Sequence, residues 1–169
     1  MSQGKQAKTL TPAQVGRVLN EVKLSRYPER DRVIVLLSFN AGLRVGEISA
    51  VTWGMVLDAE GNVSDVLELR DGATKGKKGG RQVALCIELR AALNALKGDD
   101  RPDADARIIH SERDMGLSPG ALKVWFHRLY ARVSQKIFSL CEDLAHPLVV
   151  RRILRLCARM REREGVRHV

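Results

Sequence analysis

Apolar positions along this chain recur first with the period of helices, then with that of strands, then with that of helices again. Thr11-Pro12-Ala13-Gln14 reads as a capping box with proline at the first helical position, and Val15, Val18, Leu19 and Val22 follow at helical spacing. Tyr27-Pro28-Glu29-Arg30 breaks that helix and starts another. Its run from Val33 to Leu37, then Phe39, is apolar nearly all round and belongs at the centre of a core. Gly42 stops this second helix, because glycine enters the left-handed region without a Cβ penalty. A short third helix is predicted from near Arg44 to about Trp53. The character changes at Leu57. Asp58-Ala59-Glu60-Gly61-Asn62 is a turn cluster, and Val66-Leu67-Glu68-Leu69 and Arg81-Gln82-Val83-Ala84-Leu85 read as strands joined by a glycine-rich basic stretch, Gly72 to Gly80. Helical spacing returns with Leu89, Ala92, Leu93 and Leu96. After the loop Asp99-Asp100-Arg101-Pro102-Asp103 and a brief apolar Ile108-Ile109, Ser118-Pro119 caps a helix with Leu122, Trp125, Phe126 and Leu129 on one face. The expected fold class is mainly α with a small antiparallel β-sheet.

Composition narrows the partners. A chain of 169 residues fits one domain of ordinary size. A formal net charge of +9 and a pI near 9.9 point to a polyanionic partner, because cationic side chains on phosphates release counterions. Aromatic content of 4% argues against a platform that stacks single-stranded bases. More than half of the excess charge lies beyond Leu148, where seven arginines face two glutamates. Val149, Ile153, Leu156 and Met160 have helical spacing there, so a basic amphipathic helix is compatible with the tail. Cys86, Cys141 and Cys157 are odd in number and widely spaced, which gives no support for a zinc site and fits a reduced, cytosolic setting. The N-terminus lacks a signal-peptide core, and no apolar run approaches a membrane span.

The densest chemistry is at Asn40-Ala41-Gly42-Leu43-Arg44-Val45-Gly46-Glu47-Ile48, leading into Val51-Thr52-Trp53. An arginine presented from a rigid helix junction is well placed to fork onto phosphate oxygens. The bland alternative is an arginine–glutamate surface pair worth a few tenths of a kcal/mol. Gly-Leu-Arg-x-x-Glu-Ile followed by Val-x-Trp resembles the first arginine box of the tyrosine recombinases, the phage-integrase and Xer-type family. A second segment agrees with that resemblance: Thr74-Lys75-Gly76-Lys77-Lys78-Gly79-Gly80-Arg81-Gln82-Val83-Ala84-Leu85 is similar to the family's β-hairpin that enters DNA, with Ala84 in place of the usual proline. The resemblance implies that Arg44 and Lys75 are catalytic, with Lys75 as general acid on the leaving 5′-oxygen. A flexible ammonium suits that task, since it both hydrogen-bonds a developing alkoxide and donates a proton to it. Glu47 is then a supporting residue, and Lys77, Lys78 and Arg81 are DNA-binding. Ile108 to Arg113, Gly116 to Ser118 and Trp125 to Tyr130 resemble the linker and helix before the family's second catalytic box. His110 and His127 have no paired ligand nearby and are read as structural or surface residues.

The resemblance covers about Leu10 to Val133 and then stops. Beyond Val133 neither the family's His-x-x-Arg box nor its C-terminal tyrosine nucleophile has a counterpart. The tyrosines are Tyr27 and Tyr130, and His146 and Arg151 have four residues between them instead of two. The expectation is therefore a disordered N-terminus over 1–9, a tyrosine-recombinase catalytic-domain-like region over 10–133, and an off-family basic tail over 134–169. The active site is expected to be incomplete, as in a truncated or frame-shifted gene. Double-stranded DNA is the implied partner, with more than one copy on DNA allowed; no cofactor, metal ion or membrane is implied, and the implied location is the cytoplasm, at the nucleoid. Three readings stay open: a fragment of a strand-exchange enzyme, a catalytically dead DNA-binding module of the same fold, and an unrelated, non-enzymatic basic helical nucleic-acid binder.

Overall fold

The computed structural model of the chain describes residues 10–70, 80–111 and 116–142, with side chains described as far as residue 134. The chain divides into two compact units, Met1–Leu129 and Tyr130–Val169. Five helices and one hairpin are described: α1 (Pro12–Val22), α2 (Pro28–Phe39), α3 (Val45–Ala50), β1 (Val66–Leu69), β2 (Arg81–Ala84), α4 (Ile87–Lys97) and α5 (Pro119–Glu142). The architecture is mostly helical with a two-stranded antiparallel sheet, as the apolar pattern implied.

The capping box of α1 forms in both directions. The Gln14 N–H donates to Thr11 Oγ1 at 3.3 Å, and the Thr11 N–H donates to Gln14 Oε1 at 2.8 Å. Val15, Val18 and Val22 then face inward. Helix α2 is the centre of the first unit, with Val33, Ile34, Val35, Leu36 and Leu37 all buried. Full burial of each such side chain contributes about 1.5–3 kcal/mol. Around α2 pack the apolar faces of α3, α4 and the hairpin, including Ile48, Leu67, Leu69, Leu89 and Leu93. Ile108 and Ile109, the brief apolar pair, are fully buried in the same core.

Two differences from the sequence pattern have physical causes. Helix α3 ends at Ala50, short of Trp53, and Trp53–Met55 is a separate 3-10 turn. The backbone between them is used for pairing: Val51 O accepts the Ile108 N–H at 3.1 Å, and the Trp53 N–H donates to Ala106 O at 3.0 Å. A helix could not spare those groups. The second difference is Asp31, a buried carboxylate inside the otherwise apolar α2. Its Oδ1 accepts from Arg30 Nε at 3.0 Å and Nη2 at 2.8 Å, while Arg30 Nη1 donates to His110 O at 3.2 Å. The same guanidinium lies 4.5 Å from the Tyr27 ring centroid, so the buried charge is paired and the arginine stacked.

A candidate DNA interface at the Arg44 junction

The turn between α2 and α3 fixes Arg44 from both sides. On the N-terminal side Gly42 takes φ +62, and the Leu43 N–H returns to Leu37 O at 3.1 Å, seating the Leu43 side chain in the core. On the C-terminal side the Arg44 N–H donates to Glu47 Oε2 at 2.7 Å. Arginine has no side-chain acceptor, so this is the return half of a capping box alone. Arg44 itself is extended, with φ −72 and ψ 155, and its side chain remains 77% exposed. Its Nη1 lies 3.9 Å from Glu47 Oε1, a long contact that leaves the guanidinium open to solvent.

Glu47 is the buried member of the group, its side chain 4% exposed. Besides the Arg44 N–H, its Oε2 accepts from Arg81 Nη2 at 2.9 Å. That contact follows from strand register. In the hairpin Leu69 faces Arg81, Glu68 faces Gln82, Leu67 faces Val83 and Val66 faces Ala84. Directly opposed residues share a face, and Leu67 and Leu69 are buried, so Arg81 lies on the inner face of the sheet. Gln82 and Glu68 take the outer face, where Gln82 Nε2 donates to Glu68 Oε1 at 3.2 Å.

Arg44, Glu47 and Arg81 are thus brought together. Lys75, Lys77 and Lys78 lie outside the described residues. Val51 and Trp53, part of the same motif, are buried core residues. Sequence reasoning did not find the Glu47–Arg81 pairing, although the period-two pattern Arg81-x-Val83-x-Leu85 carries it: Leu85 is buried and Val83 packs against the core, which puts Arg81 on the same side. His110 and His127 are exposed. An open cleft of about 660 Å³ lies elsewhere, lined by Arg26, Tyr27, Pro28, Glu29, Arg30, Leu96, His110 and Ser111, and none of the candidate residues enters it. Among the described residues no group of three His, Cys, Asp or Glu side chains is placed to hold a metal ion, and no helix is long and apolar enough to cross a membrane.

Comparison of the whole backbone with solved structures places this arrangement. The chain is similar to XerA recombinase at 15% identity, with a TM-score of 0.59 over 90% of this chain and 56% of that one. It is also similar to the Tn1549 transposon integrase in complex with transposon right end DNA, at 18% identity and a TM-score of 0.53, over 90% of this chain and 59% of that one. The fold is that of a tyrosine recombinase catalytic domain. A further complex of the Tn1549 integrase, with circular intermediate DNA, matches at 20% identity and a TM-score of 0.52 over 75% of this chain. The chain spans about half the length of these recombinases. No family model matches the chain, and no curated protein sequence does. At such identities the recombinase fold is carried by backbone geometry, while any activity belongs to the residues displayed on it.

Proposed function

We propose that this chain is a DNA-binding protein of the tyrosine recombinase type, concerned with DNA recombination or integration, in which Arg44 is the principal phosphate anchor. The observation that carries the reading is the Arg44 turn: an exposed guanidinium on a backbone fixed by a core leucine and a buried carboxylate. A cation held this way loses little conformational freedom on meeting a phosphate. Supporting it are the recombinase fold, the net charge of +9, and solved neighbours whose structures contain DNA. In this reading Lys75 is the proton donor to a leaving oxygen, Lys77 and Lys78 add backbone contacts, and Glu47 supports Arg44. The spacing His-x-x-Arg occurs in the 169 residues at His110–Arg113, ahead of α5 in the stretch that resembles the family's linker, and no tyrosine follows Tyr130; in this reading the chain binds duplex DNA reversibly without forming a covalent adduct.

The test is Arg44→Lys, which keeps the charge and removes the two-pronged fork. Duplex affinity should fall by about 1–3 kcal/mol, read by fluorescence anisotropy across a salt titration. Binding equal to that of the unsubstituted chain would remove Arg44 from the interface.

A further inference from the structure

Arg81 carries a charge in a basic segment, yet the hairpin turns it inward. It shares the inner face with Leu67 and Leu69, and its Nη2 sits on a carboxylate that is almost wholly buried. That same carboxylate oxygen holds the Arg44 N–H. A single atom, Glu47 Oε2, therefore joins the strand after the basic segment to the backbone of the phosphate anchor. A buried carboxylate is stable only while its hydrogen-bond partners are in place. Loss of the Arg81 guanidinium leaves Glu47 with a deficit, which it relieves by turning toward the exposed Arg44 guanidinium or toward water. Either movement weakens the bond to the Arg44 N–H.

We propose that Arg81 is a positioning residue, acting through Glu47 to fix the Arg44 turn, and makes no phosphate contact of its own. The proposal rests on Arg44 as the phosphate anchor for its consequence in DNA binding, but the coupling itself is a property of the free protein. It also explains why an arginine suits this site. The guanidinium spans from an edge-strand backbone to a carboxylate on a neighbouring helix while 45% of the side chain stays in water.

The experiment has two arms. In the free protein, hydrogen exchange of the Arg44 amide is compared in the unsubstituted chain, Arg81→Met, and Arg81→Lys, with the Leu89 and Leu93 amides of α4 as internal reference. Arg81→Met should speed Arg44 exchange by about tenfold while the α4 amides hold their rates, and Arg81→Lys, which keeps the charge, should restore much of the protection. Unchanged Arg44 exchange, or an equal acceleration throughout α4, would overturn the coupling. In the second arm, duplex binding is measured against salt for Arg81→Met, Glu47→Gln and the double variant. A positioning role predicts that Arg81→Met weakens binding in the native background but adds no loss, and no change in salt slope, once Glu47 is glutamine. Equal losses in both backgrounds, with the slope falling by about one, would make Arg81 a direct phosphate contact. If the unsubstituted chain failed to bind duplex DNA, the proposed function would fall, and the exchange arm would still decide the role of Arg81.

Discussion

The residue on which the chemistry turns most sharply is Tyr130, the last tyrosine in the chain. It ends an apolar helical stretch, and 38% of it is exposed. Burial of the remainder raises the phenol above its ordinary pKa of 10.0. The direction matters for catalysis, since a nucleophile gains from a hydroxyl that gives up its proton easily, and this one holds it. It also sets a pH dependence. Where the folded pKa of an acid lies above its unfolded value, the neutral form favours the fold below about pH 10, and the contribution is lost as pH rises from there through the folded pKa. Denaturant unfolding at a series of alkaline pH values should show Tyr130→Phe holding its stability better than the unsubstituted chain above about pH 10, with a constant difference below. Parallel curves throughout would mean that the phenol does not titrate differently in the fold.

At the scale of elements, two glycines make opposite predictions from one substitution. Gly16 lies mid-helix in α1, and a Cβ there meets nothing within 4 Å. Gly16→Ala should therefore raise unfolding free energy by about 0.5–1 kcal/mol. Gly80 precedes β2, and a Cβ there would stand 2.5 Å from the carbonyl oxygen of Leu69. Backbone cannot retreat from that contact without opening the hairpin, so Gly80→Ala should cost about 1–3 kcal/mol. Urea titration of both variants checks the pair, and a shared sign would contradict it. The elements themselves were largely legible in the sequence because each carries its own local signal: a reciprocal cap for α1, an unbroken aliphatic run for α2, turn chemistry around β1 and β2. What the sequence left hidden depends on partners far along the chain. Helix α3 stops early because residues 106–108 claim its following backbone. Asp31 is tolerated in the core because Arg30 pairs with it and reaches the carbonyl of a residue 80 positions away. The bond from Arg81 to Glu47 was hidden because it depends on which face the parity of the strand gives a residue 34 positions away.

For the whole molecule, the proposed DNA-binding role and the net charge of +9 carry two expectations. Association with duplex DNA should weaken steeply as salt rises, because counterion release dominates such contacts. Covalent attachment requires a hydroxyl in line with the scissile phosphate, and positioning is most of the work in phosphoryl transfer. On a nicked substrate that lets the cleaved end diffuse away, a denaturing gel should show no protein–DNA adduct. A shifted band abolished by Tyr130→Phe would show that this tyrosine attacks after all. The pairing of β1 with β2 sets one more condition on the molecule. Side chains alternate strictly between the two faces of a strand, so sliding β2 by one residue would bring Gln82 against Glu47 and turn Arg81 out to solvent. The Glu47–Arg81 bond thus holds only while Leu69 stands opposite Arg81. A slip in phase would exchange a charged tether for an amide and release the turn it holds.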